Sequence, residues 1–105
     1  MKAILIPVEG KAEIVEIEGK TVGEELEALQ KAVGGYIETV TMASDCCLIA
    51  DEEGMLKGKS LNVRASRFGI PLVGDVLIVG VDYDRFTDVP DAMIEMCSGG
   101  RWNIL

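Results

Sequence analysis

No histidine occurs anywhere in the chain. That absence removes the usual general base, the serine–histidine and cysteine–histidine nucleophile pairs, and the commonest metal ligand. Cysteine is scarce as well: Cys46, Cys47 and Cys97 are the whole complement. An odd count with an adjacent pair makes a poor disulfide framework and lacks the ligand spacing of a zinc site. Neighbours on a strand point to opposite faces, so all three cysteines read as packing residues. With no export signal, reduced thiols point to a cytoplasmic protein. There is no GxGxxG or GxxxxGK[ST] run, the usual marks of a phosphate-cradling loop. No apolar run approaches the ~20 residues that span a bilayer. The opening "MKAILIPVEG" turns polar at once, as a first strand does and a signal peptide does not. No metal, cofactor or membrane association is therefore expected.

Cations are the other shortage. Lys and Arg number 10 against 18 acids, for a net charge of −8. So acidic a chain is not expected to bind nucleic acid directly, since that needs a positive field. A mimic of DNA would need carboxylates dense over one face, whereas 49% of this chain is hydrophobic. One stretch breaks the pattern. "GMLKGKSLNVRASRFG", Gly54 to Gly69, holds Lys57, Lys59, Arg64 and Arg67 and no acid, which leaves 18 acids against six cations, or −12, elsewhere.

What is present reads as one domain, residues 1–105, long enough to bury its own core. Lys2–Val8 and Ala12–Glu18 form a hairpin of two strands across a glycine turn. Thr21 and Glu24 have capping-box spacing, and Val22, Leu26, Leu29 and Val33 then recur on one helical face, with Leu26 and Leu29 expected in the core. Gly34 and Gly35 stop that helix. Tyr36–Met42 and Cys46–Ala50 read as strands, Asp51–Gly54 as a turn, and Met55–Lys57 as a returning strand. Asn62 caps a short helix through Phe68. Val76–Val81 is the most β-rich run and is expected at the centre of the sheet. Asp82–Thr87 reads as a polar loop. Pro90 opens a last helix that turns Val89, Met93, Met96 and Cys97 to one side and ends at Gly99-Gly100. The fold class is α+β: a mostly antiparallel or mixed sheet of five to six strands, with two main helices on one face and one short helix.

Four stretches, "MKAILIPVEG", "ELEALQKAVGGYIETV", "DEEGMLKGKSLNVRAS" and "VGDVLIVGVD", together resemble the family known as domain of unknown function 3846. The resemblance runs from Met1 to about Met96. Its recurring pattern falls on Leu29, Gln30, Val33, Gly34, Gly35, Ile37, Glu38, Asn62 and Ala65, and Asp51 stands where the family often has Asn. The resemblance implies a small stand-alone domain of phages, mobile elements and gut bacteria, commonly an accessory gene. It implies no activity, cofactor or catalytic residue.

Three function classes follow. The first is a non-catalytic accessory protein that binds a host or phage partner protein. The second is a module that sequesters a phosphorylated, nucleotide-like small molecule. The third is a small enzyme working through a carboxylate pair that includes Glu38. For the second class the basic stretch supplies the site. Lys57, Lys59 and Arg67 surround Asn62 and Arg64 at a helix start, where N–H groups and a planar guanidinium suit an anion. Tyr36 and Glu38 are placed nearby, with Tyr36 free to stack on a base. The competing reading is that these cations balance the acids of Glu13, Glu16 and Glu18 or of Asp51–Glu53. A homodimer is also expected, because the tail Trp102-Asn103-Ile104-Leu105 is apolar and a small domain rarely exposes such a patch.

Overall fold

The computed structural model describes residues 1–99 and 103–105. Nine elements follow in order: β1 (Lys2–Ile6), β2 (Glu13–Glu16), α1 (Val22–Val33), β3 (Ile37–Ala43), β4 (Cys46–Asp51), α2 (Val63–Ser66), β5 (Val76–Asp82), β6 (Arg85–Thr87) and α3 (Asp91–Ser98). The six strands form one open antiparallel sheet in the order β2-β1-β5-β4-β3, with β6 also paired to β5. The α+β class and the central place of β5 are as the sequence leads one to expect. The expectation for the helices is not met. They lie on opposite faces of the sheet.

The reason is in the central strands. β4 is buried at all six positions and β5 at its first five. Ala3, Cys47, Ile49, Leu77 and Val79 face α1, where Leu29 and Val33 cover them. Ile4, Ile6, Leu48, Ala50, Val76 and Ile78 face the other way, towards Ala65 of α2 and Cys97 of α3. A strand with one wet face alternates apolar and polar residues, whereas "AILI", "CCLIA" and "VLIV" do not alternate and need a layer on each side.

Local signals set the helix ends. Thr21 Oγ1 accepts from Glu24 N at 3.1 Å, and Glu24 Oε1 accepts from Lys20 N at 3.2 Å, so the capping box closes one residue early. Gly34 ends α1 at φ 85°, a left-handed position that costs glycine least. Leu29 is fully buried, but Leu26 is 38% exposed. Val22 and Leu26, in the first turns of α1, line a small open cavity with Phe86 of β6 and stay partly exposed.

Two stretches differ from expectation. Asp82–Thr87 is a hairpin and not a loop: Asp82 pairs with Arg85 across Tyr83, which takes φ 58°. Its polar composition hid a strand that buries little. Met55–Lys57 does not return as a strand. Lys57 N bonds Glu53 O and Lys59 N bonds Gly54 O, so the chain coils through successive turns. The tail also finds cover in its own molecule. Ile104 is buried beside Cys97, and the amides of Ile104 and Leu105 bond Cys97 O at 2.7 and 2.9 Å. The apolar-tail motive for a homodimer is thereby met within one chain at Ile104, while Trp102 lies outside the described residues.

Candidate functional site

The basic stretch falls into two separate constellations. The first gathers at the end of α1. Asp51, the last residue of β4, has a side chain 1% exposed, and its Oδ2 lies 2.8 Å from both Lys57 Nζ and Lys59 Nζ. The same two ammoniums donate to Gly34 O at 3.0 Å and Val33 O at 2.7 Å. These carbonyls belong to the last turn of a helix, where acceptors lack intrahelical donors and the dipole favours cations. Asp51 Oδ1 accepts from Glu53 N at 2.9 Å, which shapes the turn that brings both lysines back. Bonds from Lys57 and then Lys59 hold the Asp51 carboxyl well below the usual carboxylate range. A Cβ at Gly35 would stand 2.6 Å from both Asp51 Oδ1 and Lys57 Nζ, so the second glycine of the pair is a matter of space.

A depressed carboxyl contributes stability that is present above its unfolded pKa of 3.8 and is lost as pH falls towards the folded value. Asp51→Asn should therefore lower stability by about 2 kcal/mol at neutral pH, below the figure for a fully buried pair because both lysines reach solvent. The gap between the two proteins should narrow steadily below about pH 4. Thermal melts of both proteins across pH 2–8 check this, and a gap that is constant in acid would contradict it.

The second constellation sits under the β1–β2 turn. Asn62 is fully buried and caps α2, its Oδ1 accepting from Ala65 N at 3.1 Å. Its Nδ2 donates to Ile6 O at 2.8 Å and Gly74 O at 2.9 Å, tying the ends of β1 and the β5 approach together. Arg64 turns its fork inward, Nη2 donating to Pro7 O at 2.6 Å and Gly10 O at 2.7 Å. Thus Lys57 and Lys59 come together, Asn62 and Arg64 come together, and the two pairs serve different joints. Tyr36, Glu38 and Arg67 are exposed.

A cleft of about 530 Å³ lies between these joints, lined among others by Pro7, Glu9, Lys31, Lys59, Ser60 and Asp75. Its two lysines and two acids balance. Asp75 already accepts from Val8 N, and Lys59 is held by Asp51. Of the seven residues expected at an anion site, Lys59 alone is among those lining it. The thiols add no nucleophile: burial raises all three and pushes Cys47 up to about 11. Among the described residues, no group of three or more Cys, Asp and Glu is placed to hold a metal ion.

The sequence reading missed an apolar surface at this end of the molecule. Met55 and Leu56 are 70% and 86% exposed, and Tyr36, Leu61, Val63 and Ile70 are exposed as well. Glu52 N bonds Tyr36 O, Met55 shares a small cavity with Pro71 and Leu72, and Leu61 bridges to Val73. The signal was "GMLKG", an apolar pair between two glycines with no strand beside it to pair with.

A family model described as "Domain of unknown function (DUF3846)" matches residues 1–99. The chain belongs to the DUF3846 family. The match takes in every strand and helix among the described residues of this DUF3846 domain, and both constellations. No curated protein and no solved structure matches it. No helix among its described residues is long and apolar enough to cross a membrane.

Proposed function

We propose that this DUF3846 domain is a non-catalytic accessory protein, of phage or mobile-element type, that acts in the cytoplasm by binding a host or phage partner protein. The observation that carries this reading is the exposed adjacent pair Met55 and Leu56, on a domain that also exposes Tyr36, Leu61, Val63 and Ile70. Single exposed apolar residues are ordinary, but an adjacent pair of large ones at 70% and 86% exposure favours an interaction surface. The inward commitment of Lys57, Lys59, Asn62 and Arg64 supports the same reading, because these groups stabilise joints of the fold.

The test is recovery of a partner from host extract by the tagged domain and by Met55→Asp/Leu56→Asp. Both substitutions fall on an exposed turn and should leave melting nearly unchanged. Loss of an apolar anchor pair should weaken partner binding by at least about tenfold. Equal recovery by both proteins would remove the reading. A second reading, sequestration of a nucleotide-like molecule, rests on the cleft, whose 530 Å³ falls in the range of small-molecule sites.

A further inference from the structure

The sheet has one long unpaired margin. Among the described residues β3 pairs with β4 alone, over seven residues that include neither lysine nor proline. The opposite margin, β2, has four residues with an acid at each end, and β6 has three. Short or charged edges resist further pairing, whereas a long edge of β-branched residues invites it. The phase of the ladder shows which groups are free. Glu52 N bonds Tyr36 O at 2.8 Å, and Val81 N bonds Asp45 O on the far side of β4. Antiparallel pairs alternate between bonded and non-bonded. Tyr36, Glu38 and Val40 therefore bond β4, and the N–H and C=O groups of Ile37, Thr39 and Thr41 point outward. The ladder is regular up to a bulge between Thr41 and Ala43.

The hairpin of β3 and β4 carries charge of one sign, and Lys57 and Lys59 at its open end are held by Asp51. From Tyr36 to Glu53 there is no cation, and Glu38, Asp45, Glu52 and Glu53 are exposed acids. Glu38 and Glu52 line a single cavity of about 140 Å³ with Met55, Pro71 and Leu72. Glu38 stands opposite Ala50 and Tyr36 opposite Glu52, so the two carboxylates are diagonal neighbours of like charge on one face. A lysine or arginine entering there would lay its aliphatic stem on Met55 and Pro71 and set its charge between the two carboxylates.

We propose that β3 is a docking edge, and that its occupant is an extended lysine- or arginine-rich segment of a partner protein, added as a seventh strand with a basic side chain in the Glu38–Glu52 cavity. This rests on the partner-binding reading above and names the partner's chemistry. A second copy of the chain is the poorer occupant: it carries −8 and would bring another cation-free hairpin against this one.

The experiment uses the whole chain, isotope-labelled, and short acetylated peptides in which valine alternates with lysine, arginine, glutamate or serine. Amide exchange is read at Ile37, Thr39 and Thr41. The lysine and arginine peptides should slow exchange there by at least about tenfold, an effect that fades with added salt. The glutamate and serine peptides should not. Thr39→Pro should abolish the effect yet leave the fold intact, because its lost N–H faces outward. Val40→Pro should instead break the β3–β4 ladder. If Thr39→Pro fails to fold, Thr39→Lys keeps every ladder bond and should block the basic peptides equally. Several outcomes would overturn the proposal: no protection by the basic peptides, equal protection by the glutamate peptide, protection that grows with protein concentration alone, or undiminished binding by both Thr39 variants. Partner recovery from extract that survives Thr39→Pro but is lost in Met55→Asp/Leu56→Asp would sink the docking edge and leave the partner-binding reading standing.

Discussion

Asn62→Leu should cost on the order of 4 kcal/mol, although it places an apolar residue at a fully buried position. The substitution removes three hydrogen bonds at once. Ala65 N loses its cap, and Ile6 O and Gly74 O lose a donor 2.8 and 2.9 Å away. Each buried group left without a partner costs about 1–3 kcal/mol, which outweighs the gain from burying a leucine where the site is shaped for an amide. The α2 turn, the end of β1 and the entry to β5 are joined by this side chain and Arg64, beside main-chain bonds from Asn62 N to Leu72 O and from Gly74 N to Ser60 O, so the damage is not confined to a cap. Urea unfolding should show a midpoint reduced with little change in slope. A loss under about 1 kcal/mol would mean that the amide does not hold this joint.

Gly80→Ala should be at least as severe. Gly80 lies in β5 opposite Thr87 of β6. An added Cβ would fall on the Asp88 carbonyl oxygen, with Thr87 Cγ2 also 2.9 Å away. The neighbour is main chain, which has no rotamer to change. It is also fixed from two directions, since Lys2 N bonds Asp88 Oδ1 at 2.7 Å and Val89 N bonds Lys2 O at 2.8 Å. A methyl group here forces the β6–α3 connection off the sheet and costs on the order of 4 kcal/mol, in the class of overpacked core positions. Melting curves and amide spectra of the variant check this. A variant with a native melting temperature would show that the crossing is looser than described.

These two positions also mark what the sequence makes legible and what it does not. The cap of α1 by Thr21, the cap of α2 by Asn62 and the glycine stop at Gly34 all depend on atoms within a few residues, so spacing reveals them. β5 is legible because its apolar run is long and β-branched. By contrast, Lys59 meets Val33 across 26 residues and Arg64 meets Gly10 across 54. Nothing local to either residue indicates such a partner. From sequence, four cations without acids look like a site. Folded, two of them neutralise Asp51 and three bond main-chain carbonyls. The free edge of β3 depends on strand order, which no single stretch encodes. The two covered faces were within reach, since "AILI", "CCLIA" and "VLIV" lack the alternation of a half-wet sheet.

The central claim is that the basic segment builds the fold and that binding happens on the surface around it. Arg64→Ala tests it most directly, by melting the wild-type and variant proteins alone and with a panel of nucleotides. The two bonds from Nη2 to Pro7 O and Gly10 O predict a loss of about 2 kcal/mol, or on the order of 10 °C for a domain of this length. They also predict no nucleotide-dependent rise in either protein. An unchanged melting temperature, together with a nucleotide-dependent rise in the wild type that Arg64→Ala abolishes, would contradict the account and make the segment a ligand site.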